Sequence, residues 1–103
     1  MSLPLLKRRR FFEDYAGIVL SLQEVNPPAA HRFCDSVDAA LKLIAQYPEI
    51  ARLAGFPHAP TVRLWPVRRF PNYVLLYRIT ATEIVVLCLL HGAQDLPSLI
   101  PGE

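Results

Sequence analysis

The chain predicts an α+β fold: an N-terminal short strand and a helical hairpin packed on an antiparallel β-meander sheet, closed by a short C-terminal helix. Three observations lead there. Apolar residues recur at helical spacing over residues 11–22 and again over 30–44. From Thr61 onward the pattern changes to short apolar runs bounded by turn residues. The long helices precede the main strands, which separates this class from an alternating α/β fold. A chain of 103 residues is expected to form one domain, spanning 1–103, around one core.

Each element has its own physical basis. Leu3-Pro4-Leu5-Leu6 reads as a short strand that lies at an edge or starts there, because Pro4 has no N–H to donate. A helix is expected from Phe11, with Phe11, Phe12, Tyr15, Ile18, Val19 and Leu22 on its apolar stripe. Gly17 weakens it by ~1 kcal/mol relative to Ala and suggests close approach of a neighbouring element. Asn26-Pro27-Pro28 marks a boundary, since Asn caps helices and Pro suits the first turn. The second helix carries Ala30, Phe33, Val37, Ala40, Leu41 and Ile44 on one stripe and stops before Pro48. The short link makes the pair an antiparallel hairpin. Residues 48–60 hold Pro48, Gly55, Pro57 and Pro60 and read as a loop.

The sheet follows. Thr61–Val67 is the first meander strand, and Phe70-Pro71-Asn72 is expected to turn the chain. Tyr73–Thr80 and Glu83–Leu90 then pair about Ala81-Thr82. Both runs are too uniformly apolar for a sheet with one wet face. The helical hairpin covers one side, and a partner or the C-terminal segment covers the other. Asp95 is placed to cap a final helix, Leu96–Ile100.

Composition bounds the function. The chain is 52% hydrophobic and 19% charged, which fits either a compact core or an additional apolar surface for a partner. The formal net charge is only +2, but the charges are unevenly placed. Lys7–Arg10 is a basic run, and Arg52, Arg63, Arg68, Arg69 and Arg78 fall between Glu49 and Glu83 with no acid among them. Such a set either faces nucleic acid or an acidic protein surface, or is a group of solvated arginines with one or two ion pairs. Cys34 and Cys88 read as small buried apolar residues, not as a disulfide framework. The longest apolar run, Ile84–Leu90, is far short of the ~20 residues that cross a bilayer. No apolar stretch follows the basic run, so no signal peptide is expected. The expected location is cytoplasmic, without membrane association.

Candidate chemistry is sparse. His31, His58 and His91 are far apart and no CxxC or HxxxH pairing occurs, so neither a metal nor a cofactor is expected. His91 ends the last apolar strand beside Gly92. It reads either as a general acid or base, or as a structural imidazole bonded to the backbone near Gly92 or to Asp95; no visibly paired second titratable group favours catalysis. Arg78 is either an ion-pair partner for a helix acid or part of a binding face. Trp65 and Tyr73 are core or rim aromatics by default, with base stacking as the alternative.

Several segments also carry a resemblance. Asn26-Pro27-Pro28-Ala29-Ala30-His31-Arg32-Phe33 is followed by Ile44-Ala45-Gln46-Tyr47-Pro48-Glu49-Ile50 and Val62-Arg63-Leu64-Trp65-Pro66-Val67. Then come Phe70-Pro71-Asn72-Tyr73-Val74-Leu75-Leu76-Tyr77-Arg78-Ile79 and Leu90-His91-Gly92-Ala93-Gln94-Asp95-Leu96. In this order they resemble the ParE branch of the ParE/RelE toxin superfamily over roughly Phe11 to Ile100. The resemblance implies a toxin of a type II toxin–antitoxin system, of the plasmid stabilisation kind, that inhibits DNA gyrase by binding. It implies a cognate antitoxin whose partly disordered segment folds onto an apolar groove beside the sheet, in a dimer or hetero-oligomer. Target contact is expected from Arg63, Arg68, Arg69, Arg78, His91 and Asp95.

The RelE branch offers the alternative, a ribosome-dependent mRNA endoribonuclease. That reading would use Arg63, Arg78 and His91, because attack by a 2′-OH needs proton transfer and charge stabilisation at phosphate. The branch's own nuclease positions align with Val74, with Ala93 or Gln94, and with Pro97, none of which supplies that chemistry. A third reading is a degenerate, non-toxic antitoxin-binding module. Two departures from the ParE pattern stand out: Gln94, where Arg is usual, and the basic run Lys7–Arg10.

Overall fold

A computed structural model describes residues 2–102. Its elements run in the order β1 (Leu5–Lys7), α1 (Arg9–Val25), α2 (Pro27–Gln46), β2 (Arg52–Leu53), β3 (Arg63–Val67), β4 (Phe70–Ile79), β5 (Ile84–His91) and α3 (Leu96–Leu99). The five strands form one sheet in the order β1-β5-β4-β3-β2. Strands β2 to β5 are antiparallel neighbours, as the meander requires, and β1 joins β5 in parallel, so the sheet is mixed. Pro4 precedes this edge strand, and its carbonyl accepts from the Ile84 N–H.

The helical hairpin follows local signals. The Asn26 side chain accepts from the Ala29 N–H at 3.2 Å, and Pro27 occupies the first helical position. Phe33, Val37, Ala40 and Ile44 of α2 are buried with Phe11 of α1 against Leu75, Tyr77, Val86 and Leu89 of the sheet. Phe33 sits at the centre, its ring edge-on to Phe70 at 5.2 Å and to Tyr73 at 5.3 Å. Phe12 is the exception on the α1 stripe: it is 51% exposed, with the Lys7 ammonium 5.7 Å from its ring centre.

The opposite face of the sheet is covered by the chain itself. Val74, Leu76, Val85, Leu87 and Leu90 pack with Phe56, Ala59 and Ile100. A β-bulge makes this possible. Leu76 pairs with Cys88 and Tyr77 with Val86, so Leu87 is the extra residue, and Leu87 and Cys88 both join the same apolar layer. The C-terminal segment is pinned by the Arg10 guanidinium, which donates to the Leu99 carbonyl at 2.5 Å, and by His58, whose Nε2 lies 2.8 Å from the Ile100 carbonyl.

Several expectations are corrected. The turn before β4 falls at Arg68–Arg69, not at Phe70-Pro71-Asn72. Arg69 takes φ +71°, the left-handed region that disfavours side chains. Pro71 lies inside β4, where the register jumps between Val67–Phe70 and Pro66–Val74, so its missing N–H breaks no ladder bond. The 48–60 loop contains the short strand β2. Helix α1 begins at Arg9, and β1 is shifted to Leu5–Lys7. Gly17 approaches nothing: a Cβ built there would meet no atom within 4 Å. Asp95 precedes α3 but makes no side-chain cap; the Ser98 hydroxyl donates to its carbonyl instead. Cys88 is buried as expected, whereas Cys34 is only half-buried.

Burial of Cys88 has a measurable consequence. Desolvation pushes its thiol up to about 12 from 9.0, with Arg10 pulling it down and Asp14 pushing it up. The raised value means the folded chain holds this proton more tightly than the unfolded chain. Stability from the neutral thiol is therefore full below about pH 9 and lost as pH rises toward 12. Urea unfolding of the native chain and of Cys88→Val between pH 8 and 10.5 should show a shallower decline in the variant. Parallel curves would contradict a thiol held neutral by burial.

Candidate target-binding face

The basic residues expected to contact a target do not converge. Arg63 opens β3 opposite Tyr77 of β4, while Arg68 and Arg69 turn the chain after β3. Five residues of strand separate the two groups by about 15 Å. Arg78 follows Tyr77 and therefore points to the other face of the sheet, paired with Val85. His91 pairs with Tyr73 at the end of β5, and Asp95 is exposed just beyond it. The sheet thus carries Arg63 and Arg78 near one end, and Arg68, Arg69, His91 and Asp95 toward the other.

Arg63 is engaged within the fold. Its guanidinium donates to the Ala51 carbonyl at 2.7 Å and to the Glu49 carbonyl at 3.5 Å. Beside it, the Tyr77 hydroxyl donates to the Pro48 carbonyl at 2.6 Å. The two side chains clasp the segment that leaves α2 and tie it to the sheet. Burial holds the Tyr77 phenol above its ordinary range, against the pull of Arg63. The Arg78 side chain makes no ion pair or hydrogen bond among the described residues, so no helix acid neutralises it.

The step after β5 is a hydrogen-bonded loop. His91 Nδ1 accepts from the Ala93 N–H at 3.1 Å, and the His91 N–H donates to Gln94 Oε1 at 3.0 Å. The Gly92 N–H donates to the Asn72 carbonyl, joining the loop to the start of β4. A Cβ on Gly92 would lie 3.3 Å from that carbonyl, so the close approach suits glycine. The imidazole also stands edge-on to Tyr73 at 5.1 Å. With Nδ1 as acceptor, the neutral ring carries its proton on Nε2. The backbone partner expected for His91 is therefore Ala93, and Asp95 takes no part. Gln94 has a role that Arg could not fill, because guanidinium has no acceptor atom.

Two hollows flank these residues. One, of about 350 Å³, lies between α1 and the end of β5, lined by Asp14, Gly17, Ser21, Tyr73 and His91 among others. Asp14 closes one wall: its carboxylate accepts from the Leu89 N–H at 3.1 Å and lies 3.8 Å from the Arg10 guanidinium. Gly17 and Ser21 also line the hollow. The larger, of about 830 Å³, runs past the end of α2 and is lined by Leu3, Tyr47, Pro48, Ile50 and Ile79. Tyr47 and Ile50 also stand exposed there. Neither residue was singled out by the sequence pattern as a surface feature, because each sits at the break between helix and loop.

Among the described residues no group of His, Cys, Asp and Glu is disposed to hold a metal. Among the same residues no helix is long and apolar enough to cross a membrane.

A helical hairpin and an N-terminal strand on a meander sheet, with a C-terminal segment over the far face, define the ParE-like toxin fold. A solved structure of the "Chromosomal ParDE TA system from P. aeruginosa" shares it, with a TM-score of 0.75 and 18% identity over 87% of this chain and 96% of that chain. The family model for the ParE toxin of the type II toxin-antitoxin system, parDE, matches residues 6–96, and the chain belongs to that family. No curated protein sequence matches it.

Proposed function

We propose that this ParE-family chain inhibits DNA gyrase by binding and is neutralised by a cognate antitoxin. Family membership over residues 6–96 supports the toxin role. The observation that favours binding over bond cleavage is the separation of the groups a nuclease would need. Arg63 pairs with Tyr77 and His91 with Tyr73, four residues apart on β4, so the two lie on the order of 13 Å apart along the strand. Arg78 occupies the opposite face from Arg63. A phosphoryl transition state needs its acid, base and charge-stabilising groups within hydrogen-bond reach of one phosphate. Arg63 is moreover bonded to the chain's own carbonyls.

In this reading, Arg68, Arg69, His91 and Asp95 at one end of the sheet make the target contact, with Arg78 at the other. The groove lined by Leu3, Tyr47, Ile50 and Ile79 receives the antitoxin segment, whose apolar side chains would cover Tyr47 and Ile50. The test is a pulse of expression without antitoxin, with DNA and protein synthesis followed in parallel. An early fall in DNA synthesis with translation spared is expected. An early fall in translation would transfer the assignment to the ribonuclease reading, and no effect on either would favour the non-toxic antitoxin-binding module.

A further inference from the structure

One charged cleft is separate from both hollows described above. It measures about 270 Å³ and lies between α2 and the β3–β4 turn, lined by Arg32, Asp35, Ser36, Ala39, Arg68 and Arg69. Arg32, Asp35, Ser36 and Ala39 recur at helical spacing, so they form one stripe of α2. Ser36 and Ala39 are small, and the three arginines share the lining with them and Asp35.

None of these arginine side chains makes an ion pair or hydrogen bond among the described residues. Three like charges around one hollow repel, and Asp35 offsets only one of them. Arg69 also holds a left-handed backbone conformation, φ +71°, that disfavours a non-glycine residue. Glycine would suit that turn. The fold thus keeps an arginine where its backbone is least comfortable, beside two others.

We infer that this cleft binds phosphate groups of a polynucleotide backbone, with Arg32, Arg68 and Arg69 as the contacts. The guanidinium fork matches phosphate oxygens bidentately. The cleft is too small for a whole drug-sized ligand, whose pockets run to ~300–1,000 Å³, but it admits a phosphate group. Its lining distinguishes nucleic acid from an acidic peptide. Peptide interfaces centre on large apolar or aromatic anchors, whereas nucleic-acid interfaces are polar and strongly positive. The large exposed hydrophobic residues, Leu6, Phe12, Leu20, Val25, Tyr47, Ile50 and Leu53, all lie outside this cleft. The inference stands independently of gyrase as the target.

The experiment is fluorescence anisotropy of the full chain with a labelled 16-base-pair DNA duplex and a single-stranded RNA of equal length, titrated with salt. Three phosphate contacts predict a slope of log K against log salt near about −2.7 on duplex DNA, and each lost arginine should reduce its magnitude by about 1. Arg32→Gln with Arg68→Gln should weaken binding at least ten-fold, while Arg8→Gln with Arg9→Gln should change it less than two-fold. Arg69→Gly gives a second readout: it should raise the melting temperature and still lower the affinity, a combination that a purely structural role does not produce. Binding of either polymer with this pattern supports the cleft, and the preferred polymer names the source of phosphate. Three results would overturn it: equal losses in the two arginine pairs, inorganic phosphate binding the cleft as tightly as the polymers, or a glutamate-rich peptide binding there while neither polymer does.

Discussion

Replacing Phe33 with alanine is expected to remove about 3–5 kcal/mol of stability, the range for deleting a fully buried aromatic side chain. Phe33 is 0% exposed and touches three rings from two other elements: Tyr15 of α1 and Phe70 and Tyr73 of β4. No single neighbour can collapse into the space, because the surrounding rings are held by different backbones. Small proteins are stable by only about 5–15 kcal/mol, so the variant should be substantially unfolded at physiological temperature or melt tens of degrees lower. Urea unfolding gives the value. A loss under about 1 kcal/mol would mean that the hairpin is not docked on the sheet through this residue.

The second large effect concerns Arg63. If it clasps the segment after α2, Arg63→Ala leaves the Ala51 carbonyl, on a buried residue, without its donor. The expected cost is about 1.5–3 kcal/mol, the range for a hydrogen bond from a charged donor. Tyr77→Phe removes the neighbouring bond to the Pro48 carbonyl, and the two substitutions should be non-additive because both bonds hold one segment. Thermal unfolding of the two single variants and the double variant closes the cycle. An Arg63→Ala chain that melts like the parent but loses target binding would place Arg63 on the target face instead.

How much of this was legible in the sequence differs by element. The helical hairpin was, because its signals are local: Asn26 caps through its own side chain, Pro27 sits in the first turn, and Phe33, Val37 and Ile44 repeat with the helix. The strand pairing was also legible in outline, since Thr80 and Glu83 bracket a two-residue turn. The β3–β4 turn was not. Pro71 is a turn former in isolation, and nothing in Arg68-Arg69 announces a left-handed residue. The bulge that sends both Leu87 and Cys88 to one face is equally silent, because every residue of β5 up to Leu90 is apolar and any register would bury it.

The candidate site is less legible in the sequence than the fold, for a physical reason. A run of arginines identifies charge but not direction. Arg63 turns inward because its acceptors are main-chain carbonyls 12 and 14 residues upstream, which leave no trace in residue identity. Arg10 likewise leaves the basic run to hold the C-terminal segment and pair with Asp14. Nothing in the sequence pattern marks Arg32, because it lies on a helix, far in sequence from the turn that brings Arg68 and Arg69 beside it.

Gyrase inhibition by this chain is read most simply from a supercoiling assay with purified gyrase, relaxed plasmid and the full chain, run beside ribosome-dependent mRNA cleavage. A gyrase-binding toxin should inhibit supercoiling in proportion to added protein, lose that inhibition on pre-incubation with the cognate antitoxin, and leave mRNA intact. Uninhibited supercoiling with mRNA cut on the ribosome would contradict gyrase inhibition.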